Sequence, residues 1–128
     1  KLTGAEADTA QFNVLKGNTK FLLKYLVLAW TLAAFGEEIV FRGFFVNKFA
    51  ALFGSTNKAL WAGVIISSVL FGVAHYYKGP AGMIDSTLSG LVFGSVYILS
   101  GRNLWVSIFA HGFTDTYGVL YFYLGYFE

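Results

Sequence analysis

Four runs of this chain, residues 21–36, 59–77, 81–100 and 104–127, are almost free of charge, with Lys24, Asp85 and Asp115 their only Lys, Arg, Asp or Glu residues. Each is about as long as the ~20 apolar residues that a helix needs to cross a bilayer. Only 12% of the 128 residues are charged, against roughly 25% in ordinary soluble domains. The expected fold is therefore all-α, a multi-pass transmembrane helical bundle with about four membrane segments in this chain, and its natural solvent is the lipid bilayer. A hydrophobic content of 56% excludes disorder, and a net charge of +2 without a basic run argues against a nucleic-acid partner. With no Cys, a disulfide framework and a cysteine zinc site are both excluded.

Residues 1–20 carry Glu6, Asp8, Lys16, Asn18 and Lys20 and read as a polar or interfacial lead-in without a usable motif; residues 21–128 form the apolar core. The first apolar stretch resumes after Arg42 as Gly43-Phe44-Phe45-Val46. At ~1.5 Å per residue, a helix over 21–46 exceeds the ~30 Å hydrocarbon thickness, so it must tilt, start outside the bilayer, or kink near Gly36 or Gly43. Ser55-Thr56-Asn57-Lys58 can cap the second helix, Gly79-Pro80 is expected to stop it, and Gly101-Arg102-Asn103 is a turn by composition. Short connections predict antiparallel neighbours. Ser86, Gly90 and Gly94 recur every four positions and read as a packing stripe. Asp85 reads as an interfacial or helix-start group outside any site. The start at Lys1 is that expected of a fragment or a processed form.

An ionisable side chain in hydrocarbon is costly and normally faces a protein interior or a wet cavity. Glu37, Glu38, Arg42, His75, His111 and Asp115 lie in or beside the apolar runs. Glu38 and Arg42, four apart, share a helix face and form a charge-assisted pair, while Glu37 points about 100° away. One carboxylate is thereby neutralised and its neighbour left available, or the cluster simply locks a helix end. Phe71 and His75 share a face at the same spacing, as do His111 and Asp115. Asp115 either orients the His111 imidazole or joins it on a common metal or water. One Glu and two His are a common ligand set for catalytic zinc, with a further position left for water. Neither an HExxH zincin motif nor a Gly-x-Ser-x-Gly elbow occurs.

The run Gly36-Glu37-Glu38-Ile39-Val40-Phe41-Arg42-Gly43 resembles the Glu-Glu-x-x-x-Arg signature of the CPBP family of CAAX prenyl endopeptidases and bacteriocin-processing membrane proteins. Phe71-Gly72-Val73-Ala74-His75 is similar to its Phe-x-x-x-His motif, and His111-Gly112-Phe113-Thr114-Asp115 to its His-x-x-x-Asn/Asp motif. The likeness covers roughly residues 35–115. It implies the C-terminal, catalytic half of an intramembrane endopeptidase, with further helices expected ahead of the first motif. It further implies that Glu37 activates water, supported by Glu38 and Arg42, and that His75 is a second water- or metal-contacting group. His111 and Asp115 match the pair assigned either to metal binding or to stabilising the oxyanion. An ionised Asp is acceptor-only, so Asp115 must ligate a metal, orient His111, or carry a proton.

The expected activity is hydrolysis of a peptide bond in a membrane-associated or prenylated, CAAX-type peptide or protein. Glu37, His75, His111 and Asp115 are the candidate ligands for one divalent metal, zinc before others, with a metal-free glutamate mechanism as the alternative. Two rivals retain the same helices. One is a non-catalytic membrane immunity or scaffold protein that keeps the motifs, and the other an ion-transport fragment.

Overall fold

Asn18 opens the first long helix by accepting the Phe21 N–H on its side-chain oxygen at 3.3 Å, which satisfies a donor that has no partner within the first turn. The computed structural model describes residues 10–126, so Glu6, Asp8 and Phe127 lie outside the described residues. From Asn18 onward the chain stays helical over Thr19–Leu52. It begins as α1 (Thr19–Leu28), widens into π-helical segments at Ala29–Glu37 and Ile39–Val46, and closes as α2 (Asn47–Leu52). No break falls at Gly36 or Gly43. Instead the turns loosen on both sides of Glu38, in a helix form that is frequent at functional sites. Side chains secure carbonyls there. Asn47 Nδ2 donates to the Arg42 and Gly43 oxygens at 3.1 and 2.8 Å, and Ser67 Oγ donates to the Phe41 oxygen at 2.7 Å.

Thr56 caps α3 (Asn57–Ala74) by accepting the Ala59 N–H at 3.1 Å. The helix ends three residues earlier than expected, because Tyr76–Lys78 tightens into a 3₁₀ turn. Pro80 then occupies the first turn of α4 (Gly79–Leu99), where its missing N–H costs nothing, so it starts a helix rather than stopping one. Asn103 caps α5 (Leu104–Leu124) by accepting the Trp105 N–H at 3.0 Å, and Gly125 ends it in the left-handed conformation.

The architecture is an all-α helical bundle with no strand among the described residues. Three helices, Thr19–Leu52, Asn57–Ala74 and Tyr76–Leu99, are long and apolar enough to cross a membrane. The fourth expected segment, α5, matches them in length, but His111, Asp115 and its late tyrosines dilute its hydropathy.

The small-residue stripe sets the α3/α4 contact. A Cβ on Gly90 would stand 3.1 Å from Ser68 Cα, and one on Gly94 would stand 2.6 Å from Val64 Cγ1. The partners run in opposite order along the two helices, which are therefore antiparallel. Beside this seam Val46, Val64 and Tyr97 form a buried cluster, with Leu91, Ile98 and Leu104 packed against it.

α5 is fastened to the first helix through Trp30. Its Nε1–H donates to Thr116 Oγ1 at 3.0 Å, and its ring lies where a Cβ on Gly112 would be, 2.6 Å from Cζ3. Overpacking of this kind costs roughly 1–3 kcal/mol. Gly112→Ala is therefore expected to lower the thermal midpoint in detergent, since the ring must leave the residue that follows His111; an unchanged midpoint would show that the contact does not hold α5. The lead-in also packs, contrary to its polar composition. Leu15 is fully buried, the Gly17 N–H donates to the Tyr123 oxygen at 3.0 Å, and the Phe12 ring stacks on Phe122 at 5.0 Å.

Candidate active site

The centre of the bundle is organised by Glu38, whose carboxylate is fully buried. Arg42 Nη1 donates to its Oε1 at 2.9 Å, from one turn along the same helix. His111 Nδ1 meets the same oxygen at 2.7 Å, and Ser107 Oγ donates to Oε2. A carboxylate ionised against arginine only accepts, so His111 Nδ1 carries its proton. Arg42 is satisfied twice over: Nη2 donates to the Gly90 oxygen at 2.9 Å, and its guanidinium lies 4.8 and 5.5 Å from the Phe71 and Phe93 ring centres. Phe93 also stacks on the His111 ring at 4.5 Å. A buried ion pair repays its desolvation only with good hydrogen bonding, and here both Glu38 carboxylate oxygens accept and both terminal Arg42 nitrogens donate.

Glu37 lies one residue away in a different environment. Its side chain is 31% exposed, and its Oε2 is 3.9 Å from His111 Nε2. Asp115 Oδ2 approaches the same nitrogen at 3.4 Å. Glu37, His75, His111 and Asp115 all line a cavity of about 600 Å³. His75, in the turn between α3 and α4, has its Nδ1 2.8 Å from the Phe71 oxygen. A carbonyl can only accept, so Nδ1 holds the proton and the Nε2 lone pair is left for a partner. Burial pushes this imidazole below its ordinary range, which keeps it neutral near neutral pH.

The structure thus brings Glu37, Glu38, Arg42, His111 and Asp115 into one hydrogen-bonded and electrostatic group, and sets His75 on the wall of the same cavity. The short bond to His111 comes from Glu38, with Asp115 at a longer distance on the other ring nitrogen. As for a divalent metal, no three His, Asp or Glu side chains among the described residues converge closely enough to hold one. The four candidate ligands share a cavity but not a common ligand position, so no step below passes through a metal.

Several participants were not singled out in the sequence. Ser107 stands one turn before His111 on the same face, the one signal that pointed to it. Asp85, read as lying outside the site, lines the cavity, as do Phe12 of the lead-in, Tyr77 and Lys78.

Residues 19–117 match the family model described as type II CAAX prenyl endopeptidase Rce1-like. An uncharacterized 24.3 kDa protein of Escherichia coli is 32% identical over 97 residues, covering 75% of this chain and 43% of the relative. The chain thus spans less than half the length of this curated relative. No solved structure matches it.

Proposed function

Because this chain belongs to the Rce1-like type II CAAX prenyl endopeptidase family, we propose that it hydrolyses a peptide bond in a membrane-associated or prenylated, CAAX-type peptide or protein. One observation carries this. Of two adjacent carboxylates, Glu38 is consumed by Arg42, Ser107 and His111, while Glu37 faces a cavity shared with both histidines.

Glu37 acts as general base, taking a proton from a water whose other hydrogen points at the His75 Nε2 lone pair. The water oxygen bonds to the substrate carbonyl carbon. The oxyanion that develops is stabilised by the Nε2–H of His111. Both nitrogens of this ring face carboxylates and so both carry protons, Nδ1 toward Glu38 and Nε2 toward Asp115. Collapse of the adduct breaks the C–N bond, and the proton held by Glu37 passes to the leaving amine. The apolar wall of Phe12, Tyr25, Leu28, Leu32, Val119 and Phe122 suits aliphatic side chains or an isoprenoid.

The test is release of a C-terminal peptide from a farnesylated substrate by the purified protein, with and without a chelator. Turnover is expected to survive chelation. Loss of turnover that zinc restores would transfer water activation to a metal; no turnover under any condition would reject the endopeptidase function.

A further inference from the structure

Glu37, Asp85 and Asp115 give the cavity an acidic lining, and Lys78 is the one Lys or Arg among the described residues that line it. Arg42 is occupied by Glu38 and the Gly90 carbonyl. Lys78 makes no ion pair among the described residues. Its backbone and the stem of its side chain are held in place. The Lys78 N–H donates to the His75 oxygen at 2.9 Å, which ties it to the turn carrying the water-binding histidine. Its stem lies across Gly82, where a Cβ would come within 3.5 and 3.6 Å of Lys78 Cγ and Cδ and would also overlap Lys78 Cβ. Its Nζ is 5.8 Å from the Tyr77 ring centre, and its charge acts on both Glu37 and His75.

An anionic chain end entering a cavity with three carboxylates is repelled unless a cation receives it, and complementarity of this kind sets specificity. We infer that Lys78 is a specificity-determining residue that binds the free C-terminal carboxylate of the substrate peptide. The inference rests on the endopeptidase reading for its substrate, but its test is separate. The close approach at Gly82 leaves room for the lysine stem to lie along α4, and Lys78 lines the same cavity as Glu37, His75, His111 and Asp115.

The experiment compares binding of a labelled farnesylated tetrapeptide, as the free acid and as the C-terminal amide, to the purified protein in neutral detergent. Wild type is expected to bind the acid about tenfold more tightly, the scale of one charge-assisted hydrogen bond. Lys78→Met should remove that preference, Lys78→Arg should keep it, and Gly82→Ala should reduce it by displacing the stem. Equal binding of acid and amide by wild type, or a preference that survives in Lys78→Met, overturns the assignment. Loss of phosphatidylglycerol binding in Lys78→Met with an unchanged peptide preference would place Lys78 on lipid headgroups and also overturn it. Cleavage of the same acid peptide is scored independently. An acid preference that depends on Lys78 without any cleavage would keep the carboxylate site and reject the hydrolase.

Discussion

Glu37→Gln is expected to abolish peptide cleavage, by at least about a hundredfold given the usual contribution of a positioned base, while the protein stays folded in its membrane. Glutamine preserves the shape of the side chain but has no basic oxygen to take the proton of water. The fold should tolerate the change, because Glu37 is partly exposed and its approach to His111 Nε2 is 3.9 Å rather than a short hydrogen bond. Cleavage assays paired with a thermal melt would separate the two effects. Retained turnover would contradict the role given to Glu37. A biological effect that persists in the variant without turnover would favour the immunity or scaffold alternative.

Arg42→Met should do the reverse, acting first on stability. It strips the buried Glu38 carboxylate of its arginine and leaves it with Ser107 and His111, a change of the kind that costs about 3–5 kcal/mol because the remaining charge is uncompensated. Methionine retains much of the volume between Phe71 and Phe93, so the loss reports charge rather than a cavity. Glu38→Gln combined with Arg42→Met should recover a good part of the deficit, since the orphaned charge is then absent. Chemical unfolding in micelles measures both. A single variant as stable as wild type, or a double variant no better than the single, would show that the pair is not what holds this part of the bundle.

The parts of the site that were legible in the sequence share one property: their partners are local. Glu38 and Arg42, Phe71 and His75, and His111 and Asp115 each stand four residues apart, so helical geometry alone puts them on one face. The links between helices were not readable in that way. Ser107 has the right spacing from His111, but a hydroxyl in an apolar helix commonly bonds its own preceding turn, as Ser68, Thr87 and Ser95 do here. The Gly90 carbonyl that receives Arg42 has no side-chain signature at all.

Depth was another obscure point. Counting ~1.5 Å per residue, His75 lies ~21 Å beyond Trp61 and His111 only ~9 Å beyond Trp105, an apparent mismatch. The structure meets it through Phe71, which stands one turn before His75. Its ring centre is 4.5 Å from that of His75 and 6.0 Å from that of His111. The two histidines thus share a cavity without standing side by side. The lead-in misled for a related reason. Phe12 and Leu15 are scattered among polar residues, and only the tertiary contact with α5 reveals that they pack.

The most direct test of the central claim is product analysis of a farnesylated peptide incubated with the purified wild-type protein in heavy-oxygen water. Mass spectrometry should find one heavy oxygen in the newly formed carboxylate at the cleavage point, and no product with Glu37→Gln. An intact peptide with wild type, or the same labelled product with the variant, would contradict hydrolysis by water that Glu37 activates.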